Sequence, residues 1–166
     1  EKGELKAVAY DENGNIIAED IQRSFGDAVR IEAVPDKTEI LADGSDLVYI
    51  EISAFDKEGT FCANANNRVN VSVEGAARLM GLDNGDSTDY DQYKGTSRRL
   101  FSGKMLAVIG STDKTGEIRV TLTSKGLPDC VVTLDAVKAE YDSGTSSLEN
   151  VAFAPAECGR TDEIPV

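Results

Sequence analysis

Apolar and polar residues alternate with a period of two along most of this chain. Val29, Ile31 and Ala33 alternate with Arg30 and Glu32, and Val48, Ile50, Ile52 and Ala54 with Tyr49, Glu51 and Ser53. Val69, Val71 and Val73 alternate with Asn70 and Ser72, and Ile118, Val120 and Leu122 with Arg119 and Thr121. Such runs place one face on a core and the other in water, the mark of half-buried strands. Residues 5–10, 16–23, 105–110 and 131–138 read as further strands. No stretch sustains the i, i+3, i+4, i+7 spacing of an amphipathic helix. The nearest approach is a short helical turn at residues 76–80.

Turn signals separate the runs. Asp11-Glu12-Asn13-Gly14 reads as a hairpin loop, because Asn-Gly tolerates positive φ. Asp56-Lys57-Glu58-Gly59 and Asp113-Lys114-Thr115-Gly116 repeat the same grammar. Short strands with regular turns predict an all-β fold, an immunoglobulin-like antiparallel β-sandwich over residues 28–138. That span is close to the roughly 100 residues such a domain needs. Residues 1–27 hold one hairpin, and an isolated hairpin is marginal in water. It is expected to pack on the sandwich, on a second copy, or on a domain outside this chain. In residues 139–166, Ser143-Gly144-Thr145-Ser146-Ser147 is linker-like and Val151-Ala152-Phe153-Ala154 reads as a short strand. This segment is expected to be a linker or the lead-in to a following domain. Both ends read as cut domain boundaries, and the absence of an initiator Met suggests a processed or excised piece.

Composition narrows the chemistry. The 166 residues carry 17 Lys+Arg against 30 Asp+Glu, a formal charge of −13, with no His and no Trp. Without His there is no Ser-His-Asp triad, no Cys-His dyad and no imidazole metal ligand. The acidic balance argues against nucleic acid and anionic membrane surfaces as partners. No apolar run approaches the roughly 20 residues of a transmembrane helix. Cys62, Cys130 and Cys158 form no CxxC pair and read as incidental thiols; one disulfide is the most they allow. No phosphate-cradling glycine motif is present. Asn70-Val71-Ser72 matches a glycosylation sequon inside a strand, which carries no functional weight.

One stretch is chemically dense: Asp83-Asn84-Gly85-Asp86-Ser87-Thr88-Asp89-Tyr90-Asp91. Asp83, Asp86, Asp89 and Asp91 are hard oxygen donors that could hold Ca²⁺, although the EF-hand pattern is missing. The alternative is a set of Asx turns without metal. No other cofactor is expected. Tyr90 and Tyr93, with Arg98 nearby, are candidates for a carbohydrate surface, which wants an aromatic platform and polar groups for the hydroxyls. The bland reading of the 83–99 loop is a long connection or a contact with other domains.

The order Lys37-Thr38-Glu39-Ile40-Leu41-Ala42-Asp43-Gly44, Asp56-Lys57-Glu58-Gly59, Val69-Asn70-Val71-Ser72-Val73-Glu74-Gly75, Gly81-Leu82-Asp83-Asn84-Gly85-Asp86 and Phe101-Ser102-Gly103-Lys104 also carries a resemblance. It resembles the C-terminal Ig-like domain of large bacterial glycoside hydrolase family 2 enzymes, the β-galactosidase type. It is similar, more distantly, to invasin-type bacterial Ig-like domains. The hairpin Gly3-Glu4-Leu5-Lys6-Ala7-Val8-Ala9-Tyr10 to Ala18-Glu19-Asp20 looks like the last hairpin of the preceding sandwich domain in those enzymes. The resemblance implies a non-catalytic fragment that supports a catalytic domain or subunit contacts, with the parent's other domains as partners. Family members cleave β-glycosides with two Glu residues on a separate barrel, so no catalytic residue transfers to this chain. Two other roles remain open: a carbohydrate-binding module using the 83–99 loop, and an invasin-like stalk domain of a surface adhesin.

Overall fold

A computed structural model describes residues 2–139. The expected lead-in at 139–166 and the strand at 151–154 lie almost wholly outside the described residues. Within them the chain forms eleven strands and no helix.

Strands β1 (Glu4–Tyr10) and β2 (Ile16–Arg23) form an antiparallel ribbon of their own. The remaining nine build an immunoglobulin-like β-sandwich. One sheet runs β3 (Arg30–Pro35), β5 (Leu47–Phe55), β9 (Lys104–Ser111), β7 (Ala77–Asp83). The other runs β4 (Glu39–Leu41), β11 (Cys130–Val137), β10 (Gly116–Ser124), β6 (Arg68–Gly75), β8 (Ser97–Arg99). The alternating apolar positions face each other across the two sheets. Val48, Ile50, Ile52, Ala54, Ala107 and Ile109 from one sheet meet Val69, Ile118, Val120 and Leu122 from the other, all without solvent exposure. Burying one such aliphatic side chain is worth about 1.5–3 kcal/mol.

One expectation needs correction, and two details go beyond the sequence reading. Residues 76–80 form no helical turn; Ala76 is a bend and residues 77–80 open strand β7, which pairs with β9 and carries a bulge at Met80. Strands β4 and β8, three residues each, gave too short an alternation to stand out in the sequence. The sandwich is antiparallel as expected, with one short local pair, β4 on β11, running parallel.

The connections also differ from a run of hairpins. Among β3–β11, only β10 and β11 are consecutive strands in one sheet. The turn at residues 113–116 carries the chain from one sheet to the other. The β6–β7 connection does so through a single residue, Ala76. Gly75 makes that corner feasible, with φ of 93°. A Cβ there would lie 2.0 Å from the Glu117 carbonyl oxygen. Gly103, φ 79°, sits under a similar constraint against the Cys62 carbonyl.

The β1–β2 ribbon is closed locally. Asp11 Oδ1 accepts the amides of Asn13 and Asn15 at its tip. At its base Ser24 Oγ accepts the Gly3 amide, and the Ser24 amide donates to the Gly3 carbonyl. Below the base, Phe25 packs on the sandwich core and the Gly26 amide donates to Asp56 Oδ2 at 2.7 Å. Asp56 Oδ1 also accepts the amides of Glu58 and Thr60, tying the 56–60 turn to the ribbon's root. The ribbon's strands themselves gain no such cover. Leu5, Ile17, Tyr10 and Ile16 are 75%, 66%, 59% and 55% exposed.

Candidate functional site

The acidic stretch forms the connection from β7 to β8 and folds as successive Asx turns. Asp83 Oδ1 accepts the Gly85 amide at 3.0 Å and Asn84 Oδ1 the Asp86 amide at 3.0 Å. Asp86 Oδ1 takes the Thr88 amide and hydroxyl at 2.9 and 2.7 Å, and Asp89 Oδ1 the Asp91 amide at 2.9 Å. Short acceptors two residues ahead of a donor close such turns without help from the rest of the fold.

Arg98 pins this loop to the sandwich. Its place in β8 puts it at an inward position, and it has no solvent exposure. Nη1 donates to the carbonyls of Leu82 and Asp91 at 3.2 and 3.3 Å. Nε lies 3.1 Å from Asp89 Oδ2, close enough for an ion pair but without hydrogen-bond alignment. The guanidinium carbon sits 4.5 Å from the centre of the Tyr93 ring. Asn84 Nδ2 adds a second tie, donating to Asp89 Oδ2 and to the Arg99 carbonyl. The Asp91 amide, the Asn84 amide group and the Arg98 charge together hold the Asp89 carboxyl below its ordinary range, against the opposing effect of burial.

This arrangement sorts the candidate residues. Tyr90 is 99% exposed at the loop's outer tip, and Tyr93 is 59% exposed over the Arg98 guanidinium. Arg98 does not join them at the surface: it lies beneath Tyr93, committed to loop carbonyls. The four aspartates do not converge. Asp83, Asp86 and Asp89 each cap their own turn, Asp89 faces Arg98, and Asp91 Oδ2 lies 2.8 Å from Arg68 Nη2. Among the described residues no group of three or more acidic or cysteine side chains is placed to hold a metal. Beside Tyr93 runs a shallow groove of about 240 Å³, lined by Met80, Leu82, Asp83 and Val108. A larger opening of about 620 Å³ lies between β6 and β7, lined by Val71, Val73 and Leu79 together with Ser72, Thr96 and Thr121.

Cys62 is fully buried, its thiol 3.5 Å from the Gly26 carbonyl, and burial pushes its pKa up; Cys130 is half-buried and raised by the same cause. Both are free and, as protonated thiols, poorly reactive. Cys158 lies outside the described residues. The sequence analysis missed Arg98's buried role. The one signal was its inward parity next to Leu100, which a charged residue does not advertise.

Residues 31–133 match the family described as "Glycoside hydrolase family 2 C-terminal domain 5". The chain belongs to that family. A β-galactosidase of Bacteroides ovatus is 35% identical over 136 residues, 82% of this chain and 16% of that protein. A β-glucuronidase of Formosa agariphila is 23% identical over 91% of this chain and 15% of its own length. This glycoside hydrolase family 2 domain thus spans about a sixth of the length of those relatives. Among solved structures, a family 2 member from Bacteroides cellulosilyticus superposes with a TM-score of 0.77 at 34% identity, over 82% of this chain and 17% of that one. The D00-D0 domain of intimin superposes with a TM-score of 0.50 at 22% identity, over 82% of this chain and 64% of that one. That likeness shows the shared Ig-like fold alone.

Proposed function

We propose that this domain is a non-catalytic accessory domain of a β-galactosidase-like family 2 hydrolase, supporting its catalytic domain or subunit contacts. The observation that carries the reading is the commitment of the acidic loop. Its carboxylates cap turns and face arginines, whereas retaining hydrolysis needs two carboxyl groups about 5 Å apart across a substrate cleft. The family membership agrees, because relatives named as β-galactosidases contain this domain as a small part. The test compares three samples: the isolated chain, the full parent, and the parent lacking residues 28–139. Nitrophenyl β-galactoside is the probe. The isolated chain is expected to give no turnover, and the deletion to lower the parent's Tm and kcat/KM. Turnover by the isolated chain would overturn the reading.

A second reading, sugar binding by the 83–99 loop, draws support from Tyr90, Tyr93 and the groove beside Tyr93. An exposed ring on a braced loop is a suitable platform for a pyranose face. Calorimetric titration with galactosides and plant polysaccharides decides it. Heat that disappears in Tyr93→Ala supports binding, and silence across the panel removes it.

A further inference from the structure

We propose that the outer face of the β3–β5–β9–β7 sheet carries a two-ring sugar site, which takes a neutral β-linked disaccharide or the end of a longer neutral chain. The inference rests on the sugar-binding reading above. It moves the site from the tip of the 83–99 loop to the sheet beside it.

The alternation of β9 builds the floor. Met105, Ala107 and Ile109 are buried in the core, so Leu106 and Val108 stand on the opposite face, where both are half-buried. Directly opposed residues share a face. Tyr49 on β5 and Gly81 on β7 flank Val108, while Glu51 and Asp83 flank Leu106. The groove beside Tyr93, about 240 Å³, is lined by Val108, Met80 and Asp83. A second depression of about 210 Å³ is lined by Leu106, Glu51, Lys104 and the same Asp83. The two floor residues are two positions apart, about 7 Å of strand. The depressions are therefore neighbours that share one carboxylate.

Gly81 keeps the first depression open. A Cβ there would lie 2.9 Å from the Tyr93 carbonyl oxygen, which already accepts the Leu82 amide at 2.7 Å. The Tyr93 ring is exposed on this surface and braced by the buried Arg98 guanidinium. Its position is fixed before a ligand arrives, so the apolar face of a sugar can stack on it at little ordering cost.

Polar groups then select the ligand. Lys104 Nζ donates to Glu51 Oε1 at 2.6 Å, and Asp83 Oδ1 accepts the Gly85 amide at 3.0 Å. Each bond uses one oxygen of its carboxylate and leaves the other to accept a sugar hydroxyl. A protein partner would bury these three charges under a face of roughly 800 Å², at a desolvation cost. A sugar leaves them wet. Two carboxylates against one ammonium make the groove net negative, which repels uronates and admits neutral rings. Tyr90 lines neither depression, so it falls outside the site.

Amide chemical shifts of the isotope-labelled chain, followed on titration with galactose, lactose, cellobiose and cellobiouronic acid, test this. Shifts are expected at Gly81, Asp83, Leu106 and Val108 with the neutral disaccharides. These should bind at least about 5-fold more tightly than galactose or cellobiouronic acid. Tyr93→Ala should weaken lactose binding about 10-fold, the worth of one stacked ring, whereas Tyr93→Phe should keep it. Glu51→Ala with Lys104→Ala should weaken lactose about 5-fold and leave galactose unchanged. Tyr90→Ala should change neither. Unmoved shifts at Val120 and Leu122 in each variant show that the sandwich still folds. Weakening by Tyr90→Ala with none in the Glu51–Lys104 variant would keep the sugar on the loop tip and overturn the sheet-face site alone. Silence with every sugar would overturn this site and the sugar-binding reading together. Cellobiouronic acid bound as tightly as cellobiose would overturn the selection for neutral rings.

Discussion

The β1–β2 ribbon and the β5–β9 centre of the sandwich are written in the same period-two pattern, yet they end in different environments. Ile50, Ile52 and Ile109 have no solvent exposure, while Ile16 and Ile17 are more than half exposed. The difference lies in what stands opposite. β5 is paired on both edges, by β3 and β9, and its inner face meets a second sheet. β1 and β2 have only each other. Alternation says which side chains share a face, and the fold says whether that face has a partner.

The comparison can be broken by substitution. Ile52→Ala in the isolated chain is expected to cost about 4 kcal/mol in urea unfolding, from lost transfer energy plus the cavity left behind. Ile17→Ala should cost under about 0.5 kcal/mol, as befits an exposed position. Equal effects would mean that the ribbon is already covered. Arg98→Ala should cost about 3 kcal/mol, because it strips the buried partner from the 84–96 loop. Chemical shifts of Tyr90 and Tyr93 should collapse toward random-coil values in that variant while β5 shifts hold; unchanged tyrosine shifts would show that the Asx turns hold the loop unaided. Gly75→Ala should cost on the order of 2 kcal/mol, since the corner needs positive φ and has no room for a Cβ. A neutral result would mean that the β6–β7 corner relaxes freely.

Acid separates the same regions. The Gly26 amide, with those of Thr60 and Glu58, holds the Asp56 carboxyl below its ordinary range, and the Asp91 amide does the same for Asp89. A carboxyl whose native pKa is depressed stabilises the fold above its unfolded value of about 4 and loses that contribution as pH falls through the native value. Tm should therefore be level from about pH 8 to 5 and fall below about pH 4. Exchange should quicken first at the ribbon root and in the 84–96 loop. Asp56→Asn should flatten the acid limb, and an unaltered limb would remove Asp56 from the account. The smallest effect is expected at Tyr90→Ala, within about 0.5 kcal/mol of the parent, because the ring touches nothing that the loop needs.

Much of the fold was legible without coordinates. The strands at 29–33, 48–54, 69–73 and 118–122 followed from alternation, and the turns from Asp, Asn and Gly at fixed offsets. These are local properties: side-chain parity and a short acceptor two residues from its donor are set by neighbours in the chain. The 84–91 turns belong to the same class, which is why the sequence offered them as an alternative to a cation site. β4 and β8 escaped because three residues carry too little pattern. Strand β7 was mistaken for a helical turn because Ala77, Leu79, Met80 and Leu82 blur the period where Met80 bulges out of the ladder.

The sequence by itself determined an acidic, all-β, histidine-free domain with half-buried strands and Asx-rich turns. Only the tertiary structure decided which sheet most sandwich strands join, because outside the β10–β11 hairpin a strand's partners lie dozens of residues away and nothing local names them. It alone decided that the chain turns between sheets at Gly75 and that β4 runs parallel to β11. It alone decided the role of Arg98, because a buried guanidinium is tolerable only where Leu82, Asp89, Asp91 and Tyr93, from separate parts of the chain, arrive around it together. The exposed ribbon has the same cause: its alternation calls for a partner that the sandwich, already closed on its own core, does not provide.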